Sequence, residues 1–350
     1  MNPGKVARYA LQCWRRGRVP GMINMARGYA AIRSEPDIVR YHPLSIVIEP
    51  TLRCNLDCLM CDPALRSRTK QQMTIEQFRH VIGQFPFIQR LNLQGVGEPL
   101  MNPDFFDMVE FARRQRIFVF FNTNACLLNE KNCERLIAAG PGLVRVSIDG
   151  AQKQTYEHFR RGAVFEKVIE NLTRLARRAP AHMLVGVWFL AMKENIRELP
   201  QMPALAANAG VKNLYIQNLH SWGREELSKS VVQELGINKG EFADIVSQTE
   251  QEAAKHGVRF HKVSDFSGDQ TVRGCQWPWF STYISVEGFV TPCCVQGANP
   301  DVIQFGNIFE TPFAEIWNNM KYQAFRRALK SDSPPKICRG CPAYYTRILT

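Results

Sequence analysis

The sequence is short of several features that would have assigned its class at once. In 350 residues there is no run of about 18 apolar residues free of charge, which excludes a membrane-spanning helix on length alone. The first 34 residues lack Asp and Glu altogether, and Arg15, Arg16 and Arg18 interrupt any apolar stretch that an export signal would need. No motif recurs at a fixed period, and the seven histidines fall at no ligand spacing. What is present is globular: 45% hydrophobic, 22% charged, with 23 Gly and 20 Pro. Those proportions exclude collagen-like, low-complexity and wholly disordered chains.

Charge is unevenly placed. Of the net +12, seven units come from Lys5, Arg8, Arg15, Arg16, Arg18, Arg27 and Arg33, leaving an ordinary balance for the rest. Val6, Tyr9, Ala10, Cys13 and Trp14 recur on one face of a helix, so residues 1–44 read as a basic helical extension. That extension packs on the main domain or touches an anionic membrane surface. With no aromatic–basic stripe elsewhere, nucleic-acid binding is not expected.

Cysteine decides more. The eleven are an odd number in a long chain without an export signal, so a disulfide framework is not expected and a cytoplasmic setting is. Seven fall into two spaced sets. Cys13, Cys126, Cys133 and Cys294 remain, and a lone Cys commonly fills space as a small apolar side chain.

From residue 45 onward, β-rich runs alternate with helical stretches. Strands are expected at 45–51, 89–95, 118–123, 143–149, 183–191 and 211–219, with helices at 74–85, 103–116, 129–139, 165–178 and 197–209. Thr74 and Asn102 stand where helix caps belong. Strands alternating with helices make parallel βαβ units, and six of them give an α/β fold, a partial (β/α)6 TIM-like barrel, over residues 45–219. Residues 220–265 read as a helical connector. Residues 266–350 read as a small module with a hairpin around Glu287-Gly288 and a helix over 313–329.

The first cysteine set, Cys54, Cys58 and Cys61, is C-x3-C-x2-C directly after the first expected strand. Three thiolates leave one corner of a four-iron cluster open, which suits chemistry rather than electron carriage alone. A zinc site would take four ligands from paired knuckles.

This pattern resembles the radical S-adenosylmethionine (SAM) superfamily, and the resemblance continues in Gln94-Gly95-Val96-Gly97-Glu98-Pro99. In that family such a segment contacts the SAM amino group, which implies that role for Gly97, Glu98 and Pro99. By the same resemblance Asn124, Ser147 and Asp149 at strand ends contact the SAM carboxylate and ribose, with Arg161 a further partner for the carboxylate. Asn, Ser and Asp also suit turns and caps, and that reading stays open for each. The glycine-rich fifth strand of the family is absent here, where Val187 to Met192 stands, and Met60 replaces the usual aromatic before Cys61.

The second set, Cys275, Cys293, Cys338 and Cys341, is C-x17-C-x44-C-x2-C. Together with Tyr283 to Cys293, Gly306-Asn307 and Ile316-Trp317-Asn318 it resembles the SPASM/twitch extension of the same superfamily. The resemblance implies two [4Fe-4S] clusters, one that binds SAM and one auxiliary. Cys293 is favoured over Cys294 as ligand because it follows Pro292 as in the family pattern, and four Cys could also hold structural zinc.

The implied activity is reductive cleavage of SAM to a 5′-deoxyadenosyl radical, which takes a hydrogen atom from an unactivated C–H. A flavodoxin- or ferredoxin-type protein would supply the electron. The first expectation is an oxidoreductase dehydrogenating a small biosynthetic intermediate such as a sugar or cyclitol. The alternative is a peptide or protein maturase forming thioethers, crosslinks or epimers, with Cys126 or Cys294 as hydrogen donor. An iron–sulfur electron carrier is a further class, against which the Gly97-Glu98-Pro99 segment speaks.

Overall fold

The computed structural model describes residues 19–219, 238–263, 274–339 and 341. The six expected strands form as β1 (Ser45–Ile48), β2 (Arg90–Leu93), β3 (Phe118–Thr123), β4 (Leu143–Ser147), β5 (Leu184–Ala191) and β6 (Asn213–Asn218), each parallel to the next. Their helix-facing side chains, such as Val119, Phe121, Val144 and Val146, are fully or almost fully buried. The opposite face differs, with Phe118, Phe120 and Asn122 only half buried. Alternation along a strand therefore separates a packed helical side from a lined lumen.

The helices between strands follow local signals. Thr74 caps Ile75–Gly83 through a capping box closed by Gln77, and Asn129 caps Glu130–Ala139. The helix Phe165–Arg178 has the expected bounds. Asn102 departs from expectation. It is buried, and its Nδ2 donates to Pro50 O at 2.8 Å and Met73 O at 2.9 Å, while the helix starts later, at Phe105. Its amide had a tertiary use that local sequence does not reveal.

The connector reading of 220–265 needs correction. A helix does run over Lys239–Lys255, but a seventh strand, β7 (Arg259–Lys262), follows it and pairs in parallel with β6. Arg-Phe-His-Lys is too short and polar to signal a strand, yet a sheet edge tolerates such residues. Residues 220–237 of the expected connector lie outside the described residues.

The C-terminal module does not stand apart from the barrel. Its hairpin, β8 (Tyr283–Ile284) and β9 (Phe289–Thr291), adds to the sheet through parallel pairing of Val47 with Tyr283 and Ile48 with Ile284. With β10 (Gly306–Asn307) the strands form one sheet in the order β10-β9-β8-β1-β2-β3-β4-β5-β6-β7. The expected helix over 313–329 is divided into Phe313–Ile316 and Met320–Lys330, because Asn319 caps the second piece.

The basic extension is described only from residue 19, so the face formed by Val6, Tyr9, Ala10, Cys13 and Trp14 lies outside the described residues. The helix Val19–Ser34 and the segment after it dock on the C-terminal module. Trp279 Nε1 donates to Pro36 O at 2.7 Å, Tyr41 OH to Trp279 O at 2.6 Å, and Trp317 Nε1 to Tyr41 O at 3.0 Å. Among the described residues no helix is long and apolar enough to cross a membrane.

Candidate cofactor site

The strand ends of the barrel converge on the first cysteine loop. Gly97 lies so close to that loop that a Cβ there would stand 2.4 Å from Thr51 O and 2.7 Å from Arg53 O. Both neighbours are backbone, so no side chain can move aside, and only glycine fits. Beside it Glu98 is buried, and its own N–H donates to Arg53 O at 2.8 Å. Its carboxyl oxygens accept from Thr123 Oγ1 at 2.6 Å, Asn124 N at 2.8 Å and Leu100 N at 3.3 Å. Burial pushes the Glu98 carboxyl above the usual range, with these hydrogen bonds opposing the rise. Glu98 therefore ties the loop after β2 to the end of β3.

Asn124 extends this strap to the cysteines. Its Nδ2 donates to Asn55 Oδ1 at 2.9 Å and lies 3.9 Å from Cys54 Sγ, and its Oδ1 accepts from Cys126 N at 3.0 Å. The turn that aims it passes through Ala125 at φ +58°, a left-handed conformation that costs a non-glycine residue of order 1 kcal/mol.

Asp149 is fully buried at the end of β4's register. One carboxyl oxygen accepts from Arg160 Nε at 2.7 Å and lies 2.6 Å from its Nη2, and the other accepts from Leu190 N at 2.8 Å. Arg160, rather than its neighbour Arg161, is the arginine turned toward this region. The side chain of Arg161 is exposed, and its carbonyl accepts from Asp57 N in the cysteine loop. Sequence alone could not choose between adjacent arginines at a helix end. Ser147 is buried at the tip of β4.

The thiols of Cys58 and Cys61 are raised by burial, Cys61 to about 11, while Arg66 and Arg160 pull the other way. Cys54 and Cys58 act on Cys61, so the three share one electrostatic environment. Buried thiols of this kind become thiolates by surrendering protons to a metal. Among the described residues no three His, Cys, Asp or Glu side chains converge on a point that one ion could occupy. A four-iron cluster asks for something else, one thiolate for each of three irons, and the three cysteines with their neighbouring cations fit that group.

The second set gathers likewise. Cys275, Cys293 and Cys341 all act on Cys338, and burial raises the thiols of Cys275, Cys293 and Cys338. Cys293 Sγ accepts from Gly297 N at 3.4 Å, with the amides of Val295 and Gln296 also directed at it. Cys294, on which Cys293 and Cys341 also act, packs against an apolar cluster with Val47, Tyr283, Ala298, Val96 and Trp277. Val96 precedes Gly97 and Trp277 follows Cys275 by two residues, so one cluster joins the two cysteine regions. Cys126 neighbours the first set, with Asn55, Glu98 and Cys54 acting on its thiol.

A charged latch adds to this junction. Glu49, fully buried at the end of β1, accepts from Val96 N at 3.1 Å and Val286 N at 3.4 Å. Arg68 lies 3.8 Å from Glu49 and pairs with Glu287 in the hairpin turn. Glu49 and Arg68 did not stand out in the sequence, and Glu287 did so only as a turn residue, since each draws this role from a contact far along the chain.

Comparison with known proteins agrees with this geometry. Residues 48–201 match the model of the radical SAM superfamily, and residues 275–342 match that of the SPASM iron–sulfur cluster-binding domain. The chain is 28% identical to the PqqA peptide cyclase of Gluconobacter oxydans, over 85% of this chain and 82% of that protein. It is 27% identical to the AdoMet-dependent heme synthase of Methanosarcina barkeri, over 86% and 91%. In fold it is similar to Streptococcus suis SuiB bound to precursor peptide SuiA, with a TM-score of 0.65 at 15% identity, covering 93% of this chain and 74% of that one. The chain is a radical SAM protein with a C-terminal SPASM-type iron–sulfur domain.

Proposed function

We propose that this enzyme modifies a peptide or protein by SAM-dependent hydrogen abstraction. The observation that carries the reading is the likeness to a peptide cyclase across both modules, over 85% of the chain. It favours the peptide alternative over the small-molecule dehydrogenation expected first, and leaves oxidoreductase as a description of the reaction type to be tested. Cys54, Cys58 and Cys61 would hold the SAM-binding cluster, and Cys275, Cys293, Cys338 and Cys341 an auxiliary one. The amide hydrogen bonds at Cys293 support it over Cys294 as ligand. When bound, SAM and its cluster supply the one-electron cleavage that begins the reaction.

The protein's own part is placement. Gly97 lets backbone approach the ligand, Pro99 fixes the turn behind it, and Glu98 with Asn124 holds the loop after β2 against the cysteines. Ser147 and Asp149 complete the strand-end layer, with Arg160 taking the place first considered for Arg161. Gly97→Ala is expected to displace the cysteine loop and weaken SAM binding about tenfold or more, measured by equilibrium dialysis of the iron-loaded protein. Binding equal to wild type would remove Gly97 from the site.

The substrate reading is tested with anaerobically reconstituted enzyme, reductant, SAM and, in separate reactions, a pool of random synthetic peptides or a set of sugars and cyclitols. The expected result is peptide-stimulated 5′-deoxyadenosine formation and a peptide lighter by two hydrogens for each crosslink, or epimerised without mass change. Stimulation by a sugar or cyclitol and not by the peptide pool would restore the small-molecule reading.

A further inference from the structure

The lumen of the barrel holds a buried cation that meets no carboxylate among the described residues. Arg145 precedes Ser147 by two residues on β4, so both lie on the lumen face, opposite Val144 and Val146 in the helix-side core. Arg145 is only 8% exposed. Its guanidinium carbon stands 4.1 Å from the ring centre of Trp188, 5.3 Å from Phe120 and 5.9 Å from Tyr215. Among the described residues no carboxylate pairs with it, and its Nε has no hydrogen-bond partner.

The surroundings are cationic and aromatic. Trp188 stacks on Tyr215 at 5.8 Å, and Tyr215 on His261 at 4.5 Å, forming a wall of rings across β5, β6 and β7. Arg90 and Arg259 act on Tyr215 together with Arg145. Burial lowers the Arg145 guanidinium to about 10, which leaves it charged at neutrality. Cys294, the neighbour of Cys293, acts on Arg145 from the C-terminal module. The cation thus lies one layer below Ser147 and close to Cys294 of the module that carries the second cysteine set. Proteins pair buried charges internally or keep them for a ligand, and a guanidinium fork matches a carboxylate.

Building on the peptide reading, we propose that Arg145 is a specificity-determining residue that receives a carboxylate of the substrate, either an Asp or Glu side chain or the free C-terminus. The rings of Phe120, Trp188 and Tyr215 flank that carboxylate and keep water from it. The substrate class is therefore a peptide carrying an acid close to the C–H that reacts.

The test uses iron-loaded, SAM-bound protein and pools of random synthetic heptapeptides, one pool with free C-terminal acids and one with C-terminal amides. Retained peptides are identified by mass spectrometry after anaerobic ultrafiltration. The expected result is about tenfold enrichment of Asp or Glu at one position in the amide pool, or of the acid pool over the amide pool. The first outcome identifies a side chain as the source and the second the terminus. The preference is lost in Arg145→Gln and partly kept in Arg145→Lys. Retention of peptides without acid preference overturns the role of Arg145 and leaves the peptide reading intact, whereas retention of none overturns both. A tenfold loss of SAM affinity in Arg145→Gln at full iron content would move Arg145 to the SAM site and also overturn the proposal. Should that variant fail to load iron, the wild-type pools and Arg145→Lys decide.

Discussion

Anaerobically reconstituted wild-type protein is expected to hold about eight irons per chain, falling to about four when Cys54, Cys58 and Cys61 are all replaced by Ala. Given reductant and SAM, the triple variant should form no 5′-deoxyadenosine. The reasoning is local and chemical. Burial disfavours free thiolates at Cys58 and Cys61, so a bound cluster would stabilise charge there. The remaining iron is expected at the second set, whose cysteines act on one another. Counting iron also separates adjacent cysteines, because Cys293→Ala should lose auxiliary iron while Cys294→Ala retains it. Iron content unchanged in the triple variant, or zinc in its place, would end the assignment of that loop.

The second large effect is on stability. Asp149→Ala should destabilise the protein by about 3–5 kcal/mol, because it strands the Arg160 guanidinium without its carboxylate. Leu190 N would lose its acceptor in the same substitution. Urea denaturation of proteins loaded with equal iron measures the loss. Replacing both partners with apolar residues, as in Asp149→Leu with Arg160→Met, should recover much of it, since no buried charge is then left unpaired. A single variant within about 1 kcal/mol of wild type would show that the pair contributes no more than an exposed one.

These two predictions differ in how far the sequence foretold them. The cysteine loop and Gly97-Glu98-Pro99 are compact motifs, so spacing along the chain already carries their geometry. The strands did as well, because apolar runs and capping residues such as Thr74 and Asn129 act within a few positions. Arg160, Asn102 and Glu49 were not legible for the opposite reason. Each is defined by partners beyond the reach of local pattern, Asp149 eleven residues away for the first, Pro50 and Met73 for the second, Val286 for the third. The strand β7 was missed because edge strands need not alternate apolar and polar residues. Arg145 looked like an ordinary strand residue, and only the rings assembled around it from β3, β5 and β6 reveal what it lacks. Substrate class was the least legible, since lumen side chains come from many strands and no motif groups them.

The seam between β1 and β8 has a consequence for how the chain is made. Val47 N donates to Thr282 O and Glu49 N to Ile284 O, both at 2.9 Å, so the flank of the first strand is completed only by residues that follow it by more than two hundred positions. At ordinary ribosomal speeds a nascent chain waits on the order of ten seconds or more for them, with that flank open to foreign strands. Expression at reduced temperature, or with holdase chaperones in excess, should therefore raise the yield of soluble enzyme more than added iron does.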